Sequence, residues 1–196
     1  MISTFTAFFD ANVFYGARLR SLIVELAQSN TFRARWSDQI HDEWMRNLAN
    51  NRPHLKMESL EKTRRAMDRA VPDCLVSGYE PLISSLTLPD QNDRHVLAAA
   101  IRVGADVIVT FNLKDFPIEV IEPYGIHAKS PDDFILDLAS LHPTVLLDAA
   151  HADRLHYQNP ALSLDDYLND LRKAKIIGTA DFLDALRVLI ERNNGD

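Results

Sequence analysis

Cysteine is almost missing from this chain. Cys74 stands alone among 196 residues, which excludes an internal disulfide and any cysteine-built zinc cluster. Long hydrophobic runs are missing too. No apolar stretch approaches the ~20 residues of a membrane-spanning helix, so no membrane partner is expected. The first basic residue is Arg18, and the start therefore lacks the charged segment of a secretory signal. With the lone cysteine, this points to a reducing, cytoplasmic location. The P-loop, the G-x-G-x-x-G fingerprint and the serine nucleophile elbow are all absent. The 7 histidines never fall three or four residues apart, the spacing that pairs zinc ligands on one helix face; His151 and His156 come nearest.

Positive charge is in short supply: 21 Lys+Arg stand against 28 Asp+Glu, a formal charge of −7. That argues against a nucleic-acid partner until the distribution is considered. Residues 1–70 hold 11 basic against 8 acidic side chains, whereas 71–196 hold 10 against 20. The most basic stretch, Arg52–Arg69, reads first as a solvated helix face with pairs such as Glu58–Lys62, and second as a surface that tracks RNA.

What is present is ordinary for a globular protein, 46% hydrophobic and 25% charged. The length suits one domain, or one domain with a modest appendage. "STFTAFF" (Ser3–Phe9) predicts a strand that stops at Asp10. Helical spacing follows over Val13–Gln28, then over Ser37–Asn50 with Ser37 as N-cap, then from Met57 to about Ala70. "LPDQNDRHVLAAAIRVGADVIVTFN" (Leu88–Asn112) reads as a cap-rich loop, a helix over Arg94–Val103 ended by Gly104, and a buried strand over Val107–Phe111. "IEVIEP" (Ile118–Pro123) predicts another short strand. Strands and helices in alternation, with continuous apolar strands, predict a parallel α/β sheet covered on both faces. After Ser130 only helical patterns follow, at Ser130–Leu141, Val145–His156, Leu164–Lys173 and Thr179–Arg192. The expected division is thus 1–130 and an acidic helical extension, 131–196.

In an open α/β sheet ligands bind beyond the carboxyl ends of the strands. Asp10, Asn112 and Asp115 all fall there, each with the alternative of a plain cap or turn role. Glu43 borders the apolar stripe of its helix, whereas Asp42 lies opposite Ile40. Asp90 or Asn92 suits the cap before the next helix, with Asp93 in its first turn. The small-residue face of "HVLAAA" lets that helix approach the strand tips. His95 reads as a packing or hydrogen-bonding residue. If Asp10, Glu43, Asp93 and Asp115 converge, their mutual repulsion calls for a cation. Hard oxygen donors select Mg²⁺ or Mn²⁺, which can activate water for displacement at phosphorus.

"FFDANVFY" (Phe8–Tyr15), "IHDEW" (Ile40–Trp44) and "LPDQNDRHVLAAAIRVGADVIVTFNLKDFP" (Leu88–Pro117) resemble, in order and spacing, the motifs of PIN-domain ribonucleases, most closely the toxins of VapBC-type toxin–antitoxin systems. The tail beginning "SPDDFILDL" is similar to the C-terminal extension of one subgroup. The resemblance implies a PIN-like three-layer α/β/α fold with a central parallel sheet over 1–130, plus the α-helical extension. It implies an Mg²⁺- or Mn²⁺-dependent endoribonuclease with Asp10, Glu43, Asp93 and Asp115 as its acids. Asp90 would assist from outside, and Thr110 and Asn112 belong to the last motif. Asn112 stands where some members carry Asp, and its amide suits a hydrogen bond to water. An RNA substrate, a cognate antitoxin and a homodimer are the implied partners.

Two rivals stand beside this reading. One is a PIN-fold module that binds RNA or protein and cuts weakly. The other is an aspartate phosphotransfer protein built on Asp10, Thr110 and Lys114. The second lacks the acid wanted two residues after the nucleophile, where Asn12 stands, and lacks an acidic pair on an earlier strand tip.

Overall fold

The computed structural model describes residues 5–158 and 160–192. Its first strand, β1 (Thr6–Phe9), is buried at every position, as a central strand covered on both faces must be. The start of the expected strand, residues 3–4, lies outside the described residues. The single helix expected over Val13–Gln28 is two: α1 (Ala11–Tyr15) and α2 (Ala17–Ala27), parted at Gly16, which takes extended backbone at φ −80°, ψ 122°. Glycine is a poor interior helix residue, and here it ends one helix and starts the next. β2 (Arg33–Ser37) had no counterpart among the expected elements. Its "RARWS" places arginines at both outward positions, Arg33 and Arg35, and buries Ala34, Trp36 and Ser37.

α3 (Asp38–Asn51) begins where Ser37 predicts, the hydroxyl accepting from the Ile40 N–H at 3.3 Å. α4 (Met57–Ala70), the short β3 (Leu75–Val76) and α5 (Glu80–Ile83) follow. A 3-10 turn over Gln91–Asp93 then leads into α6 (Arg94–Arg102). Gly104, at φ +59°, carries the chain out of this helix, a conformation that side chains with a Cβ resist. β4 (Val107–Val109) is fully buried.

The strand expected over Ile118–Pro123 is not one. Those residues form α7 (Ile118–Ile121) and start a 3-10 turn over Glu122–Tyr124. Pro117 and Pro123 lack the N–H groups a sheet ladder uses, and each instead starts a helical turn. The strand itself comes later, as β5 (His127–Lys129). The helices α8 (Pro131–Leu141), α9 (Pro143–Leu155), α10 (Leu164–Lys173), α11 (Ile177–Ala185) and α12 (Arg187–Arg192) complete the described chain. The last expected helix is therefore divided at Leu186.

The sheet order is β3-β2-β1-β4-β5, and every pairing is parallel. This is the three-layer α/β/α arrangement with helices after its strands. The order reverses between β1 and β4, whose register pairs Ala7 with Val107 and Phe9 with Val109. Ligand sites of open sheets form at such a reversal, beyond the strand carboxyl ends.

The chain divides into two compact units, Met1–Tyr15 with Asn30–Ser130, and Gly16–Ser29 with Pro131–Asp196. The first holds the sheet. Its core includes Phe8, Phe9, Phe14, Trp36, Ile40, Trp44 and Leu97, all at 0% exposure. A buried polar cluster is set within it. His41 Nε2 lies 2.8 Å from Asp68 Oδ1, which also accepts from Trp36 Nε1 at 3.1 Å and from the Cys74 thiol. Trp44 Nε1 donates to His41 Nδ1 at 3.0 Å, which places the neutral imidazole proton on Nε2. Burial, only partly offset by Asp68, holds the His41 pKa below its ordinary value.

The second unit is helical and includes α2. Arg18 of α2 lies over the rings of Tyr157 and Tyr167, at 4.3 and 4.9 Å, and 3.5 Å from the buried Asp153 carboxylate. Ser21 also donates to Asp153. At the start of α11, Asp132 of α8 accepts from the Gly178 and Thr179 N–H groups, both at 2.8 Å. Gly178 permits this approach: a Cβ there would meet the Leu136 side chain at 2.7 Å.

Candidate metal centre at the ends of β1 and β4

Asp10 follows β1 directly and its backbone N–H continues the ladder to Val109 O at 3.1 Å. The side chain is therefore placed by the sheet, not by a flexible loop. It is 5% exposed, and three donors hold it. The Ala11 N–H donates to Oδ1 at 2.6 Å, and Asn12 Nδ2 and the Thr110 hydroxyl donate to Oδ2 at 2.5 and 2.7 Å. A carboxylate offers about four acceptor positions, so room remains on Oδ1. Burial raises the Asp10 pKa above its ordinary value. The Thr110 and Ala11 hydrogen bonds oppose that rise, and the charge of Glu43 adds to it.

Thr110 is the next residue beyond β4, fully buried. Its hydroxyl also accepts from the Asn112 N–H at 3.0 Å. Asn12 closes the arrangement by accepting the Phe111 N–H on Oδ1 at 3.1 Å and donating to Thr110 at 3.0 Å. Asn12 thus ties the first strand tip to the second. Its position two residues after the strand-end Asp was the available sequence signal, and it pointed only to a missing phosphotransfer acid.

Asp93 occupies the N-cap position of α6 without capping it. Asp90 performs the capping of the preceding turn, accepting from the Asn92 N–H at 2.8 Å. The Asp93 carboxylate is left facing its neighbours, with Oδ2 buried and lacking any hydrogen-bond partner. Its pKa is pushed up to about 6, first by burial and then by the charges of Asp10, Asp90 and Asp115. These four aspartates therefore share one electrostatic field, and Glu43 joins it through Asp10. Asp115 sits in the 3-10 turn Leu113–Asp115, its N–H bonded to Asn112 O at 3.0 Å. Asn112 and Asp90 lie at the exposed rim.

On α3 the two competing acids separate. Asp42 faces outward, 3.6 Å from Arg64. Glu43 points its Oε1 toward His95 Nε2 at 3.0 Å and accepts there from Gln39 Nε2 at 3.3 Å. His95 is 3% exposed.

Among the described residues, no group of three or more His, Cys, Asp or Glu side chains is arranged to hold a metal ion directly. The donor set nevertheless fits a hard divalent cation. Mg²⁺ is commonly held by one or two carboxylates and several waters, not by an all-protein cage. A buried, partnerless Asp93 oxygen beside a charge-crowded Asp10 is the setting in which such a cation relieves repulsion.

Comparison with known proteins gives a consistent family. A PIN domain family model matches residues 6–114, and a VapC50 C-terminal domain model matches residues 131–185. The chain belongs to the PIN domain family. A curated relative from Mycobacterium tuberculosis (strain ATCC 25618 / H37Rv), named "Putative ribonuclease VapC50", is 52% identical over 65 residues. That match spans 33% of this chain and 38% of the relative. No solved structure gives a significant match.

Proposed function

We propose that this chain is an Mg²⁺- or Mn²⁺-dependent endoribonuclease, the toxin of a VapBC-type toxin–antitoxin pair. Residues 1–130 form its nuclease domain and 131–196 its helical extension. The observation that carries this reading is that the charge of Asp10, a carboxylate locked by three donors at the sheet's reversal point, acts on Asp93, which keeps a buried, unpartnered oxygen. The family match and the name of the M. tuberculosis relative support the same activity.

A divalent cation bound there supplies charge neutralisation, activation of water and stabilisation of the phosphate in an in-line displacement. The residues of this chain hold and orient it. Asp10 and Asp93 would hold it directly. Glu43 and Asp115 complete the acidic wall, directly or through water, and Asp90 adds negative charge at the rim. Thr110 keeps Asp10 Oδ2 in place, and the Asn112 amide would hydrogen-bond a water of the cation. RNA is the substrate, a cognate antitoxin the protein partner, and the toxin works as a homodimer in the cytoplasm.

A PIN-fold module that binds RNA or protein and cuts only weakly is the second reading, with which the lack of a ready three-ligand cage among the described residues is compatible. The phosphotransfer rival suits the site poorly, because both oxygens of Asp10 already accept hydrogen bonds and the carboxylate is nearly sealed from solvent. Incubating the purified chain with RNA, with and without Mn²⁺, beside Asp10→Asn and Asp93→Asn separates these readings. Cutting that needs Mn²⁺ and disappears in both variants supports the nuclease. RNA binding without cutting supports the module, and equal cutting in all samples rejects the assignment.

A further inference from the structure

His95 belongs to no part of the acidic set, yet it stands among its members. It lies two residues beyond Asp93, whose Oδ2 is unpartnered, and its charge would lower the pKa of both Asp10 and Asp93. Its Nε2 is 3.0 Å from Glu43 Oε1. A carboxylate only accepts, so this contact is attractive when Nε2 carries a proton. Nδ1 is buried with no hydrogen-bond partner, so the ring is committed to a single polar contact.

The consequence falls on Glu43. A helical glutamate with a partly exposed side chain, 23% here, ordinarily samples several rotamers, at a substantial entropic cost to fix. Here Oε1 accepts from Gln39 Nε2 at 3.3 Å and lies within ion-pair distance of His95 Nε2, and the Tyr79 hydroxyl in turn donates to Gln39 Oε1 at 3.5 Å. Oε2 has no protein partner among the described residues. The arrangement spends one oxygen on holding the side chain and leaves the other available.

We infer that His95 is a positioning residue: it anchors Glu43 by one oxygen so that the other is presented to a cation or its water beside Asp10 and Asp93. This rests on the metal-dependent reading above and extends it to a residue that touches neither cation nor RNA. The neighbouring packing supports a fixed ring, since Val96, Leu97 and Ala98 of the same helix are all at 0% exposure. Partners that orient metal-ligating groups typically matter 10–100-fold to metal affinity.

The test is Mn²⁺ binding to the full chain, read from the signal of free Mn²⁺ by electron paramagnetic resonance, for wild type, Asp93→Asn, His95→Gln, His95→Asn and His95→Leu. Glutamine carries an amide donor at about the reach of Nε2, whereas asparagine is one methylene short. The expected result is weaker binding in His95→Asn and His95→Leu, by ~10–100-fold, with His95→Gln close to wild type. RNA cleavage should follow the same order. If His95→Leu fails to fold, the Gln and Asn pair still decides, both being polar and differing by one methylene. Wild-type affinity in His95→Asn, with Asp93→Asn weakened, overturns the positioning role and leaves the metal reading intact. Equal losses in Gln and Asn overturn it as well, since packing alone would then explain both. No Mn²⁺ binding in wild type, or none lost in Asp93→Asn, overturns the metal reading and this inference with it.

Discussion

The Thr110 hydroxyl donates to Asp10 Oδ2 at 2.7 Å, although the two residues lie 100 positions apart in the chain. Two neighbouring parallel strands bring them together: Phe9 pairs with Val109, and the next residue of each strand carries the functional group. Asn12 bridges the pair by donating to both side chains. The position of the central carboxylate is therefore a property of the sheet.

That bridge yields a first prediction. Thr110→Val keeps the shape of the buried side chain and removes the donor. Asp10 then loses the hydrogen bond that most strongly opposes its raised pKa, so the carboxyl should titrate at still higher pH. Mn²⁺ affinity at pH 7 should fall, and stability should drop by about 1–3 kcal/mol, because the Asn112 N–H and the Asn12 amide lose the hydroxyl as an acceptor as well. Calorimetric Mn²⁺ titration beside urea unfolding checks both, and unchanged affinity would contradict the assigned role of Thr110.

Asp93 makes stability depend on pH with a definite sign. Its folded pKa, about 6, lies above its ordinary 3.8. Between those values the folded state binds more protons than the unfolded chain, so this group loses stability as pH rises. In metal-free buffer Asp93→Asn should match wild type near pH 4 and become the more stable of the two by pH 7. Added Mn²⁺ should narrow or reverse that gap by stabilising wild type alone. Thermal melts across pH 4–8 with EDTA, then with Mn²⁺, test it.

The buried cluster around Asp68 should matter for folding only. Asp68→Ala leaves His41 Nε2 and Trp36 Nε1 without acceptors inside the core. Each unsatisfied buried donor costs about 1–3 kcal/mol, so the chemical-denaturation midpoint should drop clearly. Cleavage per folded molecule should stay near wild type.

Arg18 offers a parallel case in the helical unit. Removing it by Arg18→Ala leaves the Asp153 carboxylate, at 0% exposure, without its cation, and strips the cover from the Tyr157 and Tyr167 rings. Breaking a buried ion pair costs roughly 3–5 kcal/mol. Asp153→Asn combined with Arg18→Met should recover part of that loss, because no lone charge is left inside. Comparing the three chains by urea unfolding tests this.

Cys74 should be inert. Burial and the neighbouring Asp68 carboxylate push its thiol pKa to about 12, and the side chain is 2% exposed. A thiol-specific disulfide reagent at pH 8 should react fully in denaturant and only on the timescale of unfolding in the native protein. Prompt native labelling would contradict the packing described.

The parallel α/β class and the helical tail were legible in the sequence, because continuous apolar strands and 3.6-residue periodicity are local patterns. β1, β4, α3, α6 and α10 lie close to where those patterns place them. β2 and β5 were hidden, since "RARWS" and "HAK" carry mostly polar or small residues and become strands through their partners. The Ile118–Ile121 segment misled for the opposite reason: its β-branched residues suggest a strand, while the flanking prolines turn it into a helical bend.

By itself, the sequence determined which residue types stand at the strand ends: Asp10 after β1, Thr110 and Asn112 after β4, and Asp93 before a small-residue helix. Tertiary structure alone decided their relations. It placed β1 beside β4, so that Thr110 could lock Asp10. It left Asp93 Oδ2 without a partner by giving the cap to Asp90. It turned Glu43 toward His95 and Asp42 toward Arg64, and it grouped α2 with the C-terminal helices. Such relations span as many as 100 or more residues of chain, and they are settled by strand pairing and burial, which no local periodicity encodes.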